Sequence, residues 1–195
     1  MNENIDIIFL MDRSGSMYGS ENDTIGGFNS FIENQKRSEA NAKVTTILFD
    51  HGYEVLYKRK DLYDVEKLTT NEYYVRGSTA LLDAIGRTIV TLDKEIDNKV
   101  LFVITTDGYE NSSKEFTKSQ IKSLIGNHNW EFIYLGADID SYREAANIGI
   151  RRDRVANYKK TSESINDMYT SVDKACYSLR CEGDISPDWK EDLEE

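Results

Sequence analysis

Asp12, Ser14 and Ser16 alternate through Asp-Arg-Ser-Gly-Ser, the five residues that follow the apolar run Ile5 to Met11. Alternate side chains on a tight, glycine-containing loop can converge on one point, and all three carry oxygen. Thr79, after Arg76-Gly77-Ser78 at the start of a helical pattern, and Asp107, at the end of a second apolar run, would reach the same place. Three hydroxyls and two carboxylates without His or Cys select a hard cation. Mg²⁺, an octahedral ion that keeps several waters, suits such a set; Mn²⁺ can replace it, whereas Ca²⁺ would want more carboxylates. Two carboxylates about 5 to 6 Å apart repel by roughly 3 kcal/mol at an effective dielectric near 20, and a divalent ion reverses that sign. With only two protein anions around it, the ion's shell is incomplete, and the open position invites an external carboxylate.

The elements that must position these residues can be read from hydrophobic pattern. Ile5 to Met11 and Val100 to Thr105 are nearly continuous apolar runs, as expected of strands buried on both faces. Trp130 to Leu135 makes a third. Val44 to Phe49 and Tyr53 to Lys58, separated by Asp50-His51-Gly52, predict a hairpin and hence one antiparallel strand at an edge. Arg154 to Tyr158 could be a last edge strand. Helical spacing recurs from Ile25 to Lys36, Leu81 to Ile96, Ile121 to Ile125, Ser141 to Asn147, and from Thr161 through Leu179. Ser112 and Glu115 have the spacing of a capping box ahead of the third of these. Alternating strands and helices predict an α/β fold: a doubly wound, mostly parallel open sheet of about six strands, with ligands beyond the carboxyl ends of the strands.

Asp12-Arg13-Ser14-Gly15-Ser16, Gly77-Ser78-Thr79-Ala80-Leu81 and Thr105-Thr106-Asp107-Gly108, in that order, resemble the von Willebrand factor A (VWA) domain with its metal-ion-dependent adhesion site (MIDAS). Phe132-Ile133-Tyr134-Leu135-Gly136-Ala137-Asp138 and the helix after Thr161 look like stand-alone prokaryotic members. The resemblance spans roughly residues 5 to 180. It implies a Rossmann-like sheet with the hairpin strand at its edge and helices on both faces. It also implies that Ser14 and Ser16 ligate the metal directly, that Asp12 acts directly or through water, and that Thr79 and Asp107 exchange between the two modes as a partner engages. The family often has Gly-Gly-Thr where this chain has Gly77-Ser78-Thr79, a change that keeps the hydroxyl and stiffens the loop. A bacterial or phage cytoplasmic setting is the expectation that goes with it.

Around these five positions, Asp83 and Asp138 are candidates for supporting contacts. Arg13, Tyr18, Arg76 and Tyr109, with Tyr73 and Tyr74, are candidates for a partner surface, since Tyr and Arg are favoured at interfaces. His51 and His128 receive no catalytic role. Cys176 and Cys181 are too few for a disulfide framework and lack zinc-site companions, so they read as reduced helix residues. The chain of 195 residues carries a net charge of −11, which offers no basic field for nucleic acid. No apolar stretch reaches the length of a membrane helix, and MNENID has no signal-peptide character. The VWA-like domain is expected over 1–180. Residues 182 to 195 hold seven acids against Lys190 alone, which predicts a flexible acidic tail over 181–195, one able to offer a carboxylate to the metal.

The leading expectation is a protein-binding module whose Mg²⁺ accepts an Asp or Glu from a partner, without catalysis. A rival is a Mg²⁺-dependent phosphate-handling hydrolase of haloacid dehalogenase-like type, whose strand also ends in Asp. That chemistry needs Asp12 as nucleophile and normally a second carboxylate two residues on; position 14 is Ser. A third reading has the metal only stapling the fold.

Overall fold

A computed structural model describes residues 4–193. The first strand, β1 (Ile5–Asp12), is buried at every position, as its apolar run requires. A short 3₁₀ turn at Gly15–Met17 leads to α1 (Glu21–Arg37), which carries the chain to β2 (Ala42–Phe49) and the hairpin strand β3 (Tyr53–Asp61). Next come α2 (Leu81–Leu92), β4 (Lys99–Thr106), α3 (Lys118–Asn127), β5 (Glu131–Ala137), α4 (Ser141–Asn147), β6 (Val155–Tyr158) and α5 (Ser162–Glu182). The six strands lie in the order β3-β2-β1-β4-β5-β6. All neighbouring pairs are parallel except β2 with β3.

Strand alternation divides the core in two. Ile5, Ile7, Phe9 and Met11 of β1 face a cluster with Phe28 and Phe31 of α1 and Ile165, Met168 and Val172 of α5. Phe9 meets Phe28 and Phe31 edge-on, with ring centroids 5.3 and 5.0 Å away, the geometry aromatic quadrupoles favour. Ile8 and Leu10 face the other cluster, with Ile85 and Ile89 of α2, Ile121 of α3 and Ala145 of α4. Helices therefore cover both faces, and the fold class expected from the sequence is the one observed.

Strand order also fixes where a site can form. β1 lies between β2 and β4, and the chain leaves β1 toward β2 but leaves β4 toward β5. The two outgoing loops part above the carboxyl ends of β1 and β4 and open a crevice there. Asp12 closes β1, and Asp107 directly follows β4.

Both edges of the sheet are modified. On β3, register shifts beside Thr46 and a left-handed Arg59 (φ 47°) form a bulge. From it Arg59 reaches back to buried Asp6, with Nε–Oδ1 2.8 Å and Nη2–Oδ2 3.1 Å. On the β6 side the sequence expectation fails. The segment after α5 is docked: Ile185 and Trp189 are buried in the first cluster, and Leu193 packs against it. The Trp189 indole N–H donates to the Asp153 carbonyl at 2.9 Å, and Lys190 Nζ donates to the Val155 carbonyl at 2.9 Å. Asp184 and Asp192 pair with Arg154 and Lys174, at 2.8 and 2.7 Å. Charge dominated the reading of this stretch, whereas apolar anchors spaced at Ile185, Trp189 and Leu193 decide its placement. Glu194 and Glu195, counted in the expected tail, lie outside the described residues.

Two smaller expectations are also corrected. The capping box of α3 is Thr117 with Gln120, not Ser112 with Glu115. Ser112 and Ser113 instead donate their N–H groups to Glu110. The second helix stops at Leu92 rather than Ile96. Cys176 is buried and Cys181 exposed, both as free thiols. No described helix is long and apolar enough to cross a membrane.

Replacing a buried indole leaves a cavity and an orphaned carbonyl. Trp189→Ala is expected to cost about 3 to 5 kcal/mol, read as a lower midpoint in chemical denaturation; an unchanged midpoint would show that the segment is undocked in solution.

Candidate metal centre

The loop after β1 is shaped by Asp12 itself. Its Oδ1 accepts the Ser14 N–H at 2.7 Å, turning the chain so that Ser14 and Ser16 project together, with their hydroxyl oxygens 3.1 Å apart. Its Oδ2 accepts the Thr106 hydroxyl at 2.6 Å, which ties β1 to the end of β4. Tyr73, fully buried, donates its phenol to the Asp12 carbonyl at 2.6 Å. Ser16 donates to Asp107 Oδ1 at 2.5 Å.

Thr79 arrives on a second loop. The Gly77 carbonyl accepts the Gly15 N–H at 3.0 Å, and the Arg76 N–H donates to the Arg13 carbonyl at 2.9 Å, so the first and second loops are laced together. Gly77 has φ +70°, and a Cβ there would meet His51 Nδ1 at 2.0 Å; only glycine suits that position. Thr79 and Asn111 exchange bonds, Thr79 N–H to Asn111 Oδ1 at 2.9 Å and Asn111 N–H to the Thr79 carbonyl at 3.0 Å. A Cβ on Gly108 would lie 2.9 Å from Thr79 Oγ1 and 3.4 Å from Ser16 Oγ, which places both hydroxyls beside the third loop. Asp12, Ser14, Ser16, Thr79 and Asp107 thus come together at one edge.

The donor chemistry of this cluster suits a hard divalent ion. Asp12 is wholly buried and its carboxylate meets only hydroxyl and amide donors. Burial pushes its pKa up to about 6 against the lowering effect of Ser14 and Thr106, and the neighbouring Asp107 charge adds to the rise. A cation nearby would relieve both effects. Among the described residues no three His, Cys, Asp or Glu side chains cluster as a metal-binding group, so any ion here is held largely by hydroxyls.

The surrounding candidates separate. Asp83 accepts the N–H groups of Lys114, Glu115 and Phe116 at 2.8 to 2.9 Å and so fixes the loop that follows Asp107. Asp138 has φ 56° and its carboxylate meets Lys160 Nζ at 3.0 Å. Tyr18 and Tyr109 are exposed, at 81% and 51%, and Arg76 is half-exposed. Arg13 does not belong to an outer surface. It is completely buried, with Nε 3.0 Å from Asp50 Oδ2 and Nη2 2.7 Å from Glu54. A charged residue flanked by Asp and Ser reads as exposed in sequence, but here a buried carboxylate draws it inward.

Three contributors were missed in the sequence. Thr106 stands inside Thr105-Thr106-Asp107-Gly108, one residue before Asp107, and its role follows only from strand register. Asp50 read as a turn residue; in fact its Oδ2 accepts from both Arg13 Nε at 3.0 Å and Arg76 Nε at 2.7 Å, joining the first two site loops to the end of β2. Burial alone would raise Asp50, but the Arg76, Gly52 and Arg13 donors hold it below the usual carboxylate value. Lys160 is the third. Its Nζ lies 3.1 Å from Asp107 Oδ2, and although burial would lower its pKa, the two carboxylates hold it above the ordinary lysine value.

No protein-family model and no curated protein matches this sequence. Solved structures do match. Proximal thread matrix protein 1 from the mussel byssus aligns over 92% of this chain with TM-score 0.69 and 17% identity. The vWF domain of the pilus tip protein Mfa5 from Porphyromonas gingivalis aligns over 88% at TM-score 0.68 and 9% identity. A von Willebrand factor type A protein from Catenulispora acidiphila aligns over 90% at TM-score 0.62 and 14% identity. The chain has the VWA fold. It spans 46% of the mussel protein and 43% of the Catenulispora protein, but its match covers 96% of the Mfa5 domain. A further structure of the mussel protein is described as having a zinc-occupied MIDAS motif; it aligns over 90% of this chain and 46% of its own, at TM-score 0.66 and 15% identity.

Asp50→Asn removes one of the two carboxylates that meet buried Arg13, leaving Glu54 in place, and also the carboxylate that holds Arg76. Leaving a buried charge without any partner costs about 3 to 5 kcal/mol; with Glu54 still on Arg13, thermal unfolding of the variant is expected to shift down by less than that figure implies. A melting temperature within a degree of wild type would show that the two loops do not depend on this pair.

Proposed function

We propose that this VWA domain is a metal-dependent protein-binding module. Asp12, Ser14, Ser16, Thr79 and Asp107 would hold Mg²⁺, with Mn²⁺ as a substitute, and the ion would accept an Asp or Glu carboxylate of a protein partner as its last ligand. The observation that carries this reading is the meeting of the Ser14 and Ser16 hydroxyls with Asp107, drawn from two different loops, beside the buried Asp12 carboxylate. A zinc-occupied MIDAS motif on the same fold in the mussel protein supports it.

The residues of this chain would perform separate tasks. Ser14 and Ser16 supply neutral oxygens, so the ion keeps more of its charge for an incoming carboxylate than it would among several acids. Asp12 stays fixed by Ser14 and Thr106 and sets the turn of the first loop. Tyr18 and Tyr109, exposed on the segments that follow Ser16 and Asp107, would add apolar and hydrogen-bonding contact to a partner. Binding, rather than bond making, is the reaction we assign. Both Asp12 oxygens already accept hydrogen bonds, and residue 14 offers a hydroxyl where the hydrolase alternative would place an acid.

Two measurements follow. Mg²⁺ at a hundredfold excess over its dissociation constant is expected to stabilise the wild type by about 2.7 kcal/mol, seen as a raised melting temperature. Asp12→Ala should melt at the same temperature in Mg²⁺ and in EDTA; an equal Mg²⁺ shift in both proteins would place the ion elsewhere. For the partner, affinity capture from the native host lysate is compared for wild type and Asp12→Ala, each with Mg²⁺ and with EDTA. A protein retained only by wild type in Mg²⁺ is the expected outcome, and the same captured set under all four conditions would end the adhesion reading.

A further inference from the structure

Lys160 reaches the oxygen cluster from outside the three loops that supply it. It lies in the three-residue connection between β6, which ends at Tyr158, and α5, which begins at Ser162. That connection is pinned at both sides: Lys159 N–H donates to Ser164 Oγ at 2.9 Å, and Thr161 Oγ1 accepts the Ser164 N–H at 3.3 Å. β6 runs parallel to β5, so the connection emerges at the same carboxyl edge as Asp12 and Asp107. From there the lysine reaches in over the third loop.

An ammonium has three protons to donate, and Lys160 has three acceptors. Asp107 Oδ2 is 3.1 Å away, Asp138 Oδ2 is 3.0 Å and the Ser16 carbonyl is 3.3 Å. Asp107 therefore has Ser16 on one oxygen and Lys160 on the other. Asp138 holds the far side of the ammonium from a left-handed backbone position that Asp tolerates better than most residues. It is 64% exposed and lies on the solvent side of the ammonium, a second carboxylate that does not belong to the oxygen cluster.

We propose that Lys160 is a tethered competitor for the divalent ion, holding the Asp107 carboxylate until the ion displaces its ammonium toward Asp138. Occupancy of the site then follows the ambient concentration of divalent ion instead of being fixed by a tight resident metal. This inference rests on the metal-binding reading given above. Its size follows from Coulomb's law: a unit charge about 6 Å from a divalent ion in a water-like medium opposes binding by roughly tenfold.

The test uses Mn²⁺ as the probe, titrated into the protein while free ion is followed by electron paramagnetic resonance, with melting temperatures recorded in EDTA. Lys160→Met is expected to bind Mn²⁺ about tenfold more tightly than wild type and to melt lower in EDTA, where Asp107 and Asp138 lose their counter-ion. Lys160→Arg keeps the charge and should remain within about threefold of wild type. A folded Lys160→Met with affinity equal to or below wild type overturns the competition, as does a Lys160→Arg that binds as tightly as Lys160→Met. If folded wild type binds no Mn²⁺, and Asp12→Ala behaves identically, the metal-binding reading itself fails and the proposal goes with it. A gain in affinity is not what a damaged fold produces, so the two kinds of failure can be told apart.

Discussion

A carboxylate carried on the end of a strand buried on both faces is the constraint around which this molecule is arranged. Asp12 cannot reach water from where β1 leaves it, so its charge must be met by donors that the neighbouring chain supplies. The Ser14 amide meets it by bending the first loop back, and the Thr106 hydroxyl meets it from the adjacent strand. The same two bonds that satisfy Asp12 therefore also orient the serines and lock β1 to β4 at the crevice. An interior charge is expensive to bury without partners, and here the cost is tied directly to the shape of the site.

A second buried carboxylate extends this logic sideways. Asp50 at the end of β2 gathers Arg13 from the first loop and Arg76 from the second, and its backbone carbonyl accepts the Ala80 N–H at 2.8 Å. The loop bearing Thr79 is consequently referenced to the sheet through β2, while the loop bearing Asp107 is referenced to α2 through Asp83. Three loops of irregular backbone thus acquire the rigidity of the elements beneath them. Sites held in this way need little rearrangement to receive a ligand.

Much of the sheet could be read from the sequence because β1, β4 and β5 are continuous apolar runs, and the period-two division of β1 between two helix layers follows from strand geometry alone. That Asp12, Ser14, Ser16, Thr79 and Asp107 would meet was legible because they lie at or just after the ends of β1 and β4 or just before α2, at the carboxyl edge of the sheet. What could not be read depends on contacts distant in sequence. Arg13 is drawn into the interior by a residue 37 positions away, and Lys160 reaches Asp107 across 53. The docked C-terminal segment was hidden for a different reason. Its charge is conspicuous in composition, whereas three apolar side chains spaced by four residues carry its energetics.

The treatment of the sheet's two margins limits how the protein can associate with others. An unpaired strand is a template on which another chain can build. β3 is interrupted by the Arg59 bulge and flanked there by Lys58 and Lys60, while β6 is only four residues long and lies beside the Trp189 segment. Neither margin offers a long, flat ladder for strand addition. Sheet extension from either margin is therefore disfavoured, and the irregular loops at the carboxyl end of the strands, where side chains rather than backbone ladders are presented, are the part of the molecule free of that constraint.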